Sequence, residues 1–306
     1  MMNVQLDSGH TGNKRRKGWS KQRRVLSIGA LCAALLLSAA LIATVALHQR
    51  ELAQTETLRQ LYHTERTAAP LPSDGAAPET QAPDTEKAHA AAPHQLQARF
   101  VPLLEQNPET IGWLRAGSLA DEPVVYRDND FYLHHDFLQN KSSSGTVFVD
   151  AENADWETAP YVVVYGHYIK DGSRFGSLKK YCDAEQLKKN LLVEWDSKYS
   201  SEPEAYVVFS VFEASMLADH SKYFYLRRFE QLKTGGEEQM QQLIDEAQER
   251  SLFDIPLDVT PEDRILVLVT CSYGTEDGRL LVFCRKVRPE EDVDALLEAA
   301  ARIGVR

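Results

Sequence analysis

Three residue types in this 306-residue chain sit where chemistry could be done, and all three stand at the ends of short β-rich runs. Arg264–Thr270 is an apolar, β-branched run delivering Cys271, and the second run opens with Arg279 after the polar loop Ser-Tyr-Gly-Thr-Glu-Asp-Gly. Such a pattern predicts two antiparallel strands joined by a loop. The seven intervening residues return the chain, so thiol and guanidinium face one another across the hairpin mouth. A fixed cation there favours thiolate over thiol. Its fork of N–H groups can also donate to an oxyanion. A nucleophilic Cys needs a proton carrier, and Tyr-Val-Val-Val-Tyr-Gly-His at 161–167 supplies His167 after another β-rich run. Taken singly, Cys271 reads as a buried apolar thiol, Arg279 as a strand-end charge and His167 as a loop histidine; their combination reads as nucleophile, oxyanion donor and general acid/base. Arg285 shares a strand face with Arg279 but lies about 20 Å further along, away from the Cys271 end, and reads as a solvated strand charge.

These residues resemble the sortases, cysteine transpeptidases of Gram-positive envelopes, and class B in particular. Val267-Leu268-Val269-Thr270-Cys271 followed by Arg279 is similar to the family's Thr-Leu-x-Thr-Cys and Arg, departing in Val for the first Thr. Tyr165-Gly166-His167, Asp171-Gly172-Ser173 and Phe175-Gly176-Ser177-Leu178 resemble the class B histidine region. Ile111-Gly112-Trp113-Leu114, Pro123-Val124-Val125-Tyr126, Asp128-Asn129 with Tyr132-Leu133, and Gly145-Thr146-Val147-Phe148-Val149-Asp150 extend the likeness over residues 96–287. The resemblance implies a two-step transpeptidation. Cys271 attacks a Thr carbonyl in a C-terminal sorting signal of Asn-Pro-x-Thr or Leu-Pro-x-Thr type, forming a thioester. His167 protonates the departing amine, and Arg279 with the Ser272 backbone N–H holds the oxyanion. An amine of a peptidoglycan precursor, or a pilin Lys, then takes the acyl group. It also implies substrate contacts at Thr270, Ser272 and, by its place in the chain, His134. No metal and no cofactor are expected. Two other classes stay open: a membrane-anchored cysteine protease that hydrolyses peptides, and a non-catalytic tethered binding module.

The elements that must position these groups follow from the rest of the chain. Residues 1–24 carry Lys14, Arg15, Arg16, Lys17, Lys21, Arg23 and Arg24 against Asp7 alone, and read as a cytoplasmic segment. Residues 25–47 are uncharged and as a helix would reach about 35 Å, enough to cross a bilayer. The basic flank places the N-terminus inside and the remainder outside, and the run is longer than a cleaved signal's apolar region. Residues 48–95, rich in Ala, Pro, Thr and Glu, predict a semi-extended spacer, with at most a short helix over 51–62 and no contribution to a core. On that basis residues 1–95 are expendable. The catalytic domain is then 96–306.

The chain holds 34 Lys and Arg against 45 Asp and Glu, a net charge of −11. Without the basic first 24 residues the remainder is more acidic still, which argues against a nucleic-acid partner. Cys32, Cys182 and Cys284 accompany Cys271 with no zinc-type spacing. Cys182 and Cys284 read as packing residues, with a disulfide between them left open.

The fold class expected is mainly β with added helices, with an amphipathic helix over Leu96–Leu104 stopped by Asn107-Pro108. Strands follow at 112–115, 124–127, 146–150, 161–165, 192–195 and 205–214, then the Cys271 hairpin. Helices are expected in two pieces over 175–190, the second capped by Asp183, then over 237–250 and 290–302. The resemblance makes this a sortase-like eight-stranded β-barrel with an N-terminal helix and a helix between strands six and seven, preceded by one transmembrane helix.

Overall fold

The computed structural model describes residues 14–68 and 95–305. The expected spacer lies outside the described residues over 69–94, as does the cytoplasmic segment over 1–13. Helix α1 runs Lys14–Ala68 and is divided between two compact units, the first ending at Gln54 and the second beginning at Thr55. In the first unit α1 carries a stretch long and apolar enough to cross a membrane. Leu31, Leu35, Leu36 and Leu41 are all more than 60 % exposed along it.

The second unit is built around a closed barrel. After a 3₁₀ turn at Ala98–Phe100 and α2 (Val101–Gln106) come β1 (Thr110–Ala116), β2 (Ala120–Val125), β3 (Val147–Val149) and β4 (Tyr161–Tyr165). A 3₁₀ stretch, Gly176–Cys182, and α3 (Ala184–Lys189) lead to β5 (Leu192–Ser197) and β6 (Glu204–Ser215). Then follow α4 (Phe229–Arg250), β7 (Phe253–Asp254), β8 (Ile265–Ser272), β9 (Gly278–Lys286), α5 (Val293–Ala300) and β10 (Gly304–Val305). The barrel order is β1-β2-β3-β4-β8-β9-β6-β5, eight strands, with β7 and β10 as a separate pair. The expected barrel and the helix after its sixth strand are both present.

Alternation along β1 sorts the two faces of the wall. Leu114 and Ala116 join the main core with Val163, Val267 and Phe283. Trp113 joins a second cluster with Phe100, Leu103, Tyr132 and Phe148. Leu58 and Tyr62 of α1 belong to this second cluster, each 1 % exposed. The composition of residues 48–95 predicts a spacer with no part in a core; Thr55–Ala68 differs because its apolar residues share one helical face. Tyr62 stacks on Trp113 with ring centroids 4.4 Å apart, and its hydroxyl donates to Asp196 at 2.5 Å. Asp196 is also gripped by Arg99 through Nε at 2.7 Å and Nη2 at 2.6 Å. Removing residues 1–54 is therefore expected to leave the domain intact. Removing 1–95 strips two buried side chains worth about 2 kcal/mol each. Thermal unfolding of the two truncations checks this: the shorter form should melt lower by on the order of 10 °C, and equal midpoints would return Thr55–Ala68 to the spacer.

Three smaller differences have local causes. The helix expected from Leu96 becomes a 3₁₀ turn and a short α2 because Pro102 lacks an N–H and fits only the first turn. Helix α4 begins before Gly236, which breaks it at φ 57°. Helix α5 starts only at Val293, where the Asp292 side chain accepts from the Ala295 N–H. The expected cap of α3 is present, with Asp183 accepting from Gln186. Cys182 and Cys284 are free thiols, and burial pushes the Cys284 thiol far up.

Candidate active site

Register brings the three chemical residues together. Across the antiparallel β8–β9 pair Cys271 lies directly opposite Arg279, a placement that sets Cβ atoms about 5 Å apart. Across the parallel β4–β8 pair Tyr165 is level with Val269, and the Gly166 N–H extends the pairing to the Val269 carbonyl at 3.1 Å. His167 and Cys271 thus stand two residues beyond matched positions on neighbouring strands. All three line one cavity of about 250 Å³, together with Thr270. Gly166 is fixed by packing: a Cβ there would lie 2.6 Å from Cγ of the buried Phe175 ring.

His167 is half-buried, with Nε2 2.8 Å from the Leu133 carbonyl. A carbonyl only accepts, so Nε2 carries its proton and Nδ1 is the nitrogen left to exchange one. Arg279 gives Nη1 to its neighbour's Gly278 carbonyl and to Asp277 Oδ1, both at 2.9 Å. Among the described residues its Nε and Nη2 have no partner, so two donors of the fork remain for a ligand. Ser272 is buried and its hydroxyl donates to Glu213 at 2.5 Å, with Lys179 completing the group. Burial alone would raise the Glu213 carboxyl; the bonds from Lys179 and Ser272 outweigh it and hold the group below its usual value. The loop after Cys271 is thereby tied to β6. Thr270 is 2 % exposed and its Oγ1 has no hydrogen-bond partner within the described residues.

The far wall is a polar network centred on Asp150, which is fully buried. It accepts from the Tyr165 hydroxyl at 2.9 Å, from Asn129 Nδ2 at 3.1 Å and from Arg227 at 3.1 and 3.2 Å. Burial, then the Asp150 charge, pushes the Tyr165 hydroxyl far up, so it stays a neutral donor. Such a wall has fixed shape and fixed donors.

Not every expected site residue converges. His134 is two-thirds exposed and only 3.9 Å from Asp130, and the cavity is lined by its neighbour Leu133 instead. Arg285, expected as a solvated charge, has a side chain with no exposure, paired to Glu291 at 2.5 and 2.9 Å. The Leu133 carbonyl and Arg227 are site groups that the sequence does not mark. A backbone acceptor leaves no residue signature, and Arg227 lies in an irregular segment without periodicity. Among the described residues no cluster of His, Cys, Asp and Glu could hold a metal ion.

No protein-family model matches the chain. It is 29 % identical over 185 residues to sortase B of Listeria monocytogenes serovar 1/2a, spanning 59 % of this chain and 70 % of that protein. It is 28 % identical over 202 residues to sortase B of Staphylococcus aureus, spanning 64 % and 78 %. Among solved structures, a Staphylococcus aureus sortase B–substrate complex superimposes with a TM-score of 0.60 at 21 % identity, covering 79 % of this chain and 98 % of the other.

Proposed function

We propose that the chain, similar to curated sortase B proteins, is a class B sortase, a cysteine transpeptidase in which Cys271, His167 and Arg279 carry an acyl transfer from a sorting signal to an amine. The observation that carries this is the convergence of the three side chains on one cavity, through the register of β8 with β9 and of β4 with β8.

The Cys271 thiolate attacks the Thr carbonyl carbon of a C-terminal Asn-Pro-x-Thr or Leu-Pro-x-Thr signal in a secreted protein, forming a C–S bond and pushing charge onto the carbonyl oxygen. Nε and Nη2 of Arg279, with the Ser272 N–H, hold that oxyanion. As the C–N bond breaks, His167 gives the departing amine a proton from Nδ1, leaving a thioester on Cys271. In the second half the amine of a peptidoglycan precursor, or a pilin Lys, attacks the thioester, His167 takes up its proton, and the thiolate leaves. Thr270, which lines the cavity beside Cys271, is assigned to substrate binding. His134 is also assigned to substrate binding, from outside the cavity lining. The apolar stretch of α1 anchors the enzyme in the cell membrane, with the basic N-terminal segment in the cytoplasm and the catalytic domain outside.

Product analysis tests the acceptor. With a sorting-signal peptide and rising concentrations of a small amine, the amide product should grow at the expense of the acid. Acid alone at every amine concentration would make the enzyme a protease.

A further inference from the structure

The ring of His167 leans on backbone. A Cβ built on Gly145 would lie 2.9 Å from His167 Cδ2, and Gly145 has φ 58°, so glycine is required there twice over. The same edge of the ring is held by the Leu133 carbonyl. The Gly145 carbonyl accepts from Nε of Arg174 at 2.8 Å. Arg174 is 5 % exposed and keeps φ at 53°, unfavourable for a residue with a Cβ. Its backbone is tied to the same segment, since Arg174 bridges Tyr168 and the next N–H, of Phe175, donates to the His167 carbonyl at 3.1 Å.

Nη1 of the same guanidinium is engaged by β2 and α1. Arg174 Nη1 donates to Glu122 Oε2 and to Thr55 Oγ1, both at 2.9 Å. The other oxygen of Glu122, which is 1 % exposed, accepts from Arg59 Nη2 at 2.9 Å, and Arg59 Nε donates to the Asp121 carbonyl at 2.7 Å. Buried ion pairs are costly to desolvate, and apolar side chains of similar volume commonly give equal or better stability. A network of fixed donors nevertheless does what apolar packing cannot, because it sets the position of one backbone carbonyl.

We propose that Arg174 is a positioning residue for His167, held directly by Thr55 and through Glu122 by Arg59, so that the Thr55–Ala68 end of α1 is part of the machinery that aims the imidazole. This rests on the assignment of His167 as the acid for the leaving amine.

The test uses the full chain in detergent carrying Arg59→Met, whose side chain is 31 % exposed in the native protein, or Arg174→Lys. Each should lower kcat for a peptide amide about tenfold to a hundredfold with KM little changed. Each should spare acylation by a thioester analogue, add no further loss in a His167→Ala background, and shift the His167 ring resonances in NMR spectra. Equal losses on amide and thioester, or losses that add to His167→Ala, would overturn it. If Arg174→Lys does not fold, Arg59→Met decides alone. If His167→Ala itself spares the amide reaction, the acid assignment is what fails. The ring resonances of Arg59→Met then decide the positioning role: shifted supports it, unchanged refutes it.

Discussion

Replacing His167 with alanine should nearly abolish acylation by a peptide amide while largely sparing acylation by a thioester analogue. An amine is a poor leaving group until it is protonated, whereas a thiolate leaves without a proton. A positioned acid is worth about a hundredfold to ten-thousandfold, so the two substrates should diverge by a comparable factor. The structure makes the proton path specific, because Nε2 is committed to the Leu133 carbonyl and Nδ1 alone is available. The ring is half-buried at the cavity rim rather than in the core, so its loss should leave the fold intact, which circular dichroism can verify. Equal loss of both reactions in a folded protein would reassign His167 to forming the thiolate.

Arg279→Lys should cost roughly a hundredfold or more in kcat, the usual price of one oxyanion donor. Lysine keeps the charge but not the planar fork. Nη1 of Arg279 is engaged with Asp277 and Gly278 while Nε and Nη2 have no partner among the described residues, and a single ammonium cannot satisfy both sides at once. Arg285→Lys supplies the contrast. Arg285 is buried against Glu291 far along β9, so this change should lower the thermal midpoint by several degrees and leave kcat per folded molecule unchanged. A comparable kcat loss at both positions, measured on folded protein, would remove Arg279 from the oxyanion site.

The barrel strands were legible because each is a short β-branched run with turn residues at its ends, and Cys271 and His167 stand out as polar residues ending such runs. The Cys271–Arg279 pairing followed from loop length alone. Harder to see was the parallel pairing of β4 with β8, which joins segments far apart in sequence and leaves no local pattern. The docked end of α1 was not legible because the Pro- and Ala-rich composition of the following residues masks the spacing of Thr55, Leu58 and Tyr62 along one helical face. Arg285 misled for another reason: a charge near a strand end reads as solvated unless its partner is known, and Glu291 comes only after the strand has ended.

Cys271 should carry the acyl group between the two half-reactions. Intact-protein mass spectrometry after acid quench, with a sorting-signal peptide and no added amine, measures it directly. The expected result is an adduct equal to the peptide fragment ending at Thr, located on Cys271, absent from Cys271→Ala and discharged as an amide when amine is added. Peptide cleavage without any adduct in the native enzyme, or an adduct that persists in Cys271→Ala, would contradict it.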